Sequence, residues 1–117
     1  MSQERVRRVL ASLLSGKAQC WVLFQENEEG RKEILSMLVS CMEIEQVTGC
    51  RFLNLWAMYA YRQAPLESWQ AMREAVEEFA RAQGCDCITA LTNNPKAVSL
   101  ALGLGATSQT TFVVKEL

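Results

Sequence analysis

Histidine is missing from all 117 residues. Its absence removes the commonest general base and both the Ser–His and Cys–His nucleophile pairs. Catalysis would have to rest on carboxylates, tyrosine, cysteine, lysine or a positioned water. Metal binding is narrowed too. The five cysteines (Cys20, Cys41, Cys50, Cys85, Cys87) include no C-x-x-C pair, and Cys85-Asp86-Cys87 is C-x-C. A zinc site would need four thiolates gathered from distant places, so no metal is expected and buried, reduced thiols are. No run of about 18 apolar residues occurs, so no membrane-spanning helix is expected. The start, Met-Ser-Gln-Glu-Arg-Val-Arg-Arg, lacks the apolar stretch of a signal peptide, which makes the cytoplasm the expected compartment. Charge of one sign is also lacking. Twelve basic residues stand against 13 acidic ones, net −1, which gives no basic field for nucleic acid.

What is present is globular. Half of the residues are hydrophobic and 21% are charged, a balance that folds and does not stay disordered. The length suits one domain over residues 1–117. Residues 2 to 15 read as a helix, with Val6, Val9, Leu10, Leu13 and Leu14 at helical spacing, Ser2 as cap and Gly16 as stop. Arg5, Arg7 and Arg8 lie off that stripe. A solvated face explains them better than an anion or partner contact.

Two strands follow, Cys20–Gln25 and Glu33–Met42, joined by a polar turn around Gly30 as a hairpin. A strand from Arg51 to Tyr61 is apolar on both faces, which predicts a central strand covered above and below. Its one polar interior residue, Asn54, would need a hydrogen-bond partner. Both prolines open helices. Pro65–Gln83 carries a stripe of Trp69, Met72, Val76, Phe79 and Ala80, ended by Gly84. A buried strand is predicted over Cys85–Leu91. Asn94 then caps a helix whose first residue is Pro95 and which ends at Gly105, and a last strand is predicted over Thr110–Val114. Strand, helix, strand, helix, strand points to parallel pairing with crossover helices.

This order, with the loop Arg62–Ser68, the Gly84-Cys85 strand, Asn94-x-x-Ala97-x-x-Leu100 and the turn at Gly105, resembles the C-terminal two-thirds of the GNAT superfamily of N-acetyltransferases. The resemblance implies an α/β (α+β) fold. Its mixed sheet would have five to six strands, an antiparallel N-terminal part and helices on both faces, without the family's first strand and first helix. It also implies an acetyl-CoA site, built on a glycine-rich loop whose bare amides cradle the pyrophosphate.

At the two glycine positions this chain has Glu67 and Trp69, and no glycine lies between Met58 and Gln83. Ala101 stands where the family often has a tyrosine that protonates the leaving thiolate. The strand Arg51–Tyr61 contains no acid to serve as base, and the usual Gly-Phe is Gly105-Ala106. The cofactor candidates that remain are Arg62, Gln63, Asn94 and Lys96. The catalytic candidates are Tyr59 and Tyr61, at the strand end where open α/β sheets bind ligands; both also read as interior aromatics whose hydroxyls reach a rim.

The expectation is a non-catalytic binding or assembly module with a degenerate acetyl-CoA site, similar to short GNAT-like proteins of bacteriophages and prophages. The alternative is an acetyl-CoA-dependent N-acyltransferase with an atypical cofactor loop. A homodimer or another protein partner is expected, with Trp21 and Phe24 as candidate contacts near a sheet edge.

Overall fold

The computed structural model describes residues 2–92, 94–108, 113 and 115–117. The Ser2 hydroxyl accepts the Arg5 N–H at 3.2 Å and starts α1 (Gln3–Leu14). Gly16 reverses the chain at φ +81°, a conformation that costs a residue without Cβ little. Strands β1 (Ala18–Glu26) and β2 (Lys32–Ile44) then form an antiparallel hairpin. Asn27 sets its turn, accepting the N–H groups of Glu29 and Arg31 at 2.9 and 3.0 Å. A second turn rests on the Glu45 carboxylate. It accepts the Val47 and Thr48 N–H groups at 2.9 and 2.7 Å and the Thr48 hydroxyl at 2.6 Å. The Thr48 hydroxyl first, and then the two N–H groups, hold the Glu45 carboxyl below its ordinary range.

Strand β3 (Arg51–Ala60) pairs antiparallel with β2. Helix α2 (Leu66–Ala82) crosses back, and β4 (Cys87–Ala90) pairs parallel with β3. Helix α3 (Pro95–Gly103) follows. The sheet order is β1-β2-β3-β4. Two extra residues break its regular register. Leu35 is extra on β2, between Leu23↔Ser36 and Phe24↔Ile34. Trp56 is extra on β3, between Val39↔Ala57 and Ser40↔Leu55. Such bulges bend a strand and sharpen its twist.

The core forms where α2 meets one face of the sheet. Leu38 and Leu53 from the strands meet Val76 and Ala80 from the helix, all buried, with Met42, Leu55, Met72, Phe79 and Ile88 around them. Trp21 ties β1 into this layer. Its ring packs edge-on against Phe79 with centroids 5.4 Å apart. Its indole N–H donates to the Ser40 hydroxyl at 2.9 Å, which donates onward to the Gln19 amide oxygen at 2.8 Å. Helix α1 lies over the opposite face, where Arg5, Arg8 and Val9 border a shallow hollow of about 350 Å³ with Trp56. No α1 side chain is buried.

The mixed sheet and its flanking helices agree with the sequence reading; the five to six strands do not. Four are found among the described residues. Most of the expected strand Thr110–Val114 lies outside them. Strand β3 is less covered than its composition predicts. Leu53 is 0% exposed, but Trp56, Met58 and Tyr59 are each close to half exposed, because α2 covers only the Leu53 end and α1 sits loosely. Strand β4 is shorter than Cys85–Leu91 and only its Ile88 is partly buried. It has no outer neighbour among the described residues, and Cys85 turns into the core under α2 instead. The thiols are free, as expected, but none is fully buried; Cys20 and Cys87 are exposed, each near an edge of the sheet. Asn54 finds its partner, accepting the Thr89 hydroxyl at 3.2 Å from β4. No described helix is long and apolar enough to cross a membrane.

Leu53→Ala empties the centre of the only layer α2 makes, and its expected cost is about 2–5 kcal/mol by denaturant unfolding. Leu14→Ala, at an 89%-exposed position on α1, is expected to stay within about 0.5 kcal/mol. The Glu45 turn gives a pH signature. Its folded carboxyl titrates below its unfolded value, so its contribution is complete above the unfolded value and lost as pH falls through the folded one. Glu45→Gln should flatten that acid portion of the stability–pH profile, and an unchanged profile would contradict this assignment.

Candidate functional site

The parallel pairing of β3 with β4 runs only from Phe52↔Cys87 to Leu55↔Ala90. Strand β3 continues to Ala60, so its residues 56–60 have no strand partner on that side among the described residues. The two strands part at the residue where Trp56 bulges out of the ladder with β2. The gap opens at the C-terminal ends of parallel strands, the position at which open α/β sheets bind ligands.

The gap is a cleft of about 440 Å³. Met58 and Ala60 of β3 form one wall. The loop Arg62, Gln63 and Ala64 forms its rim, and the first turns of α2 (Leu66, Trp69) and α3 (Lys96, Ala97), with the cap Asn94, close it. The loop is held by the β2 bulge: the Leu35 carbonyl accepts the N–H groups of both Tyr61 and Arg62, at 2.9 and 3.2 Å. The Arg62 guanidinium donates to the Glu33 carboxylate at 3.3 Å. The bulge that bends β2 therefore also places the cationic rim of the cleft.

Two helix N-termini face this space, and each carries a partial positive charge. They differ in what caps them. Asn94 accepts the Lys96 N–H at 3.0 Å and caps α3 through its side chain. Pro65 begins α2 with no side-chain cap, and its carbonyl takes the Ser68 and Trp69 N–H groups. Glu67, in the first turn of α2, offsets the helix dipole and lowers the pull on a second anion. The Trp69 indole fills part of the cleft.

All four residues singled out for cofactor binding, Arg62, Gln63, Asn94 and Lys96, border the same cleft. Tyr59 and Tyr61 are not part of its lining. Tyr59 is about half exposed, on the face of β3 away from Met58. The Tyr61 hydroxyl lies 3.6 Å from the Met37 sulfur, a weak donor contact. Among the described residues the lining contains no carboxylate, thiol or phenol, and its titratable groups are two cations, Arg62 and Lys96. Cys41 and Cys50 supply no activated nucleophile. Burial, then the Glu43 charge, pushes the Cys41 thiol up, and partial burial, then Asp86, does the same to Cys50. A raised thiol holds less thiolate at neutral pH. No cluster of three or more potential metal ligands forms among the described residues.

The sequence reading missed the apolar side of the cleft. Met58, Ala60, Leu66, Ala97 and Leu100 carry no motif, and only the parting of β3 from β4 gives them a shared surface.

No protein-family model matches this chain, and no curated protein sequence does. Solved structures do resemble it. A putative acetyl transferase from Pyrococcus furiosus is 22% identical, with a TM-score of 0.69 over 98% of this chain and 76% of its own. A GNAT family acetyltransferase from Staphylococcus aureus is 16% identical, with a TM-score of 0.66 over 100% of this chain and 78% of its own. A transcriptional regulator from Bacillus halodurans is 18% identical, with a TM-score of 0.73 over 100% and 77%. The chain thus has the fold of the GNAT acetyltransferases.

Asn94 supplies the side-chain cap of α3 at the mouth of the cleft. Asn94→Ala is expected to cost about 1 kcal/mol in thermal or chemical unfolding. A variant as stable as the parent would show that α3 does not depend on this cap.

Proposed function

We propose that this protein is a GNAT-fold binding module, active in the cytoplasm, whose cleft no longer carries acetyl-transfer chemistry. The observation that carries the proposal is the composition of the lining. An acetyl transfer must take a proton from the attacking amine and return one to the leaving thiolate. Among the described residues, Arg62 and Lys96 are the only titratable side chains bordering the cleft, and both are cations. The pyrophosphate end is a poor match as well. Glu67 and Trp69, in the first turn of α2, stand where the resemblance calls for bare glycine amides. A carboxylate there repels phosphate and an indole takes up its room. The similarity to short GNAT-like phage and prophage proteins belongs to this reading, as does a protein partner, a second copy being the simplest. That a transcriptional regulator shares the fold supports a scaffold not tied to one chemistry.

One observation favours the second reading, an acetyl-CoA-dependent N-acyltransferase. The unpaired stretch of β3 opposite β4 offers backbone groups to an extended acyl-carrying chain. Arg62 and Lys96 beside two helix N-termini suit phosphates. In that case acetyl-CoA would supply the acyl group, and the chain's own part would be to bind and orient it.

Thermal unfolding with and without millimolar acetyl-CoA or CoA tests whether the cleft binds the cofactor, and an acetylation assay separates the two readings. A ligand at about 100 times its dissociation constant stabilises by about 2.7 kcal/mol, roughly 10 °C for a domain of this size. The binding-module reading expects no acetylation of a panel of amines, whether or not CoA raises the melting temperature. Turnover above background that Arg62→Ala lowers at least tenfold would overturn it in favour of the enzyme.

A further inference from the structure

The sheet has a second open feature, at the edge farthest from the cleft. Strand β1 is outermost and pairs with β2 alone. Its other row of backbone N–H and C=O groups meets no strand among the described residues. Natural edges of this kind carry guards such as proline, an inward charge or a bulge. This one carries none. The run Ala18-Gln-Cys-Trp-Val-Leu-Phe-Gln25 holds no charge and no proline, and the bulge in this ladder sits on β2 at Leu35. Eight of the strand's nine residues, all but the terminal Glu26, carry no charge, and an edge of that length is a template for another strand.

The flanking charges select that strand. Lys17 precedes β1, and Glu26, Glu28 and Glu29 close it. Lys32 lies opposite Glu26 and Arg31 lies 4.0 Å from Glu29, which leaves Glu28 to keep this end acidic. A second copy laid antiparallel brings each basic end to the other's acidic end, whereas a parallel copy sets like ends together. Faces must also match across the new ladder, because directly opposed residues share a side. A twofold axis at Val22 satisfies this. Val22 meets Val22 of the other copy, and Cys20 meets Phe24 twice over. Val22 is 43% and Phe24 51% exposed, on the face away from α2, and this pairing lays them against one another.

We propose that the protein is a twofold dimer in which two β1 strands pair antiparallel about Val22, joining both sheets into one. This assembly does not depend on the cleft or its ligand, which lie at the β3–β4 end.

The test uses the full chain in size-exclusion chromatography with light scattering, up to about 1 mM. The mass expected is twice 13.2 kDa. Val22→Lys sets two like charges face to face at the axis and should raise the dimer dissociation constant at least tenfold, while circular dichroism and melting temperature stay near those of the parent. Val22→Cys should give an oxidant-dependent, reductant-sensitive dimer that the parent, with its five native cysteines, does not form under the same conditions. A monomeric parent at the highest concentration overturns the proposal. So does a dimer that Val22→Lys leaves unchanged, or a Val22→Cys chain that cross-links no more than the parent.

Discussion

The seating of α2 on one face of the sheet is the contact on which the other parts depend. Leu38 and Leu53 come from adjacent strands, Val76 and Ala80 from the helix, and together they make up the buried cluster. Burial of this kind contributes about 25 cal/mol per Å² of apolar surface, and α1 and α3 bury no side chain of their own. Trp21 extends the layer to the outermost strand by packing on Phe79 and donating to Ser40. The hairpin is thus tied, through Trp21, to a helix residue far along the chain, Phe79, and the register of three strands is fixed by what α2 covers.

Two single-residue bulges convert that sheet into one with a cleft. Trp56 bends β3 at the place where it leaves β4. Leu35 bends β2 and turns its carbonyl to the N–H groups of Tyr61 and Arg62. The first opens the space and the second fixes its rim. Neither depends on the residues that would bind a ligand, so the cleft is a property of the scaffold and its chemistry is set separately by what lines it. The fold persists here at 12–22% identity to its neighbours, with Glu67 and Trp69 in the first turn of α2.

Much of the fold was legible in the sequence because its punctuation is local. Ser2, Gly16, Gly84 and Asn94 start or stop helices through their own backbone or side-chain geometry, and each acts where the spacing predicts. The hairpin was legible from Gly30 and its polar turn for the same reason, while the part Asn27 plays in setting that turn was not singled out. What was not legible is non-local. The run Arg51–Tyr61 is apolar throughout, yet only its Leu53 end lies under α2, and no pattern within the run reports where a distant helix stops covering it. Cys85 and Cys87 read alike as thiols on one strand face, but the chain is still leaving α2 at Cys85, and one turns inward while the other is exposed. In the cleft, the polar rim of Arg62, Gln63, Asn94 and Lys96 could be singled out through the resemblance to the GNAT superfamily. The apolar floor could not, because it exists only once β3 and β4 diverge.

A single buried layer also sets a gradient of opening times along the chain. Amide protons at the β2–β3–α2 contact are released only when the whole layer comes apart, whereas α1 and α3, neither of which buries a side chain, can unwind while it stays closed. Solvent deuterium should enter the molecule from its two ends, long before it reaches Leu53. Because α3 forms one lip of the cleft, the mouth of that cleft belongs to the fast-exchanging part of the chain and its β3 wall to the slow part.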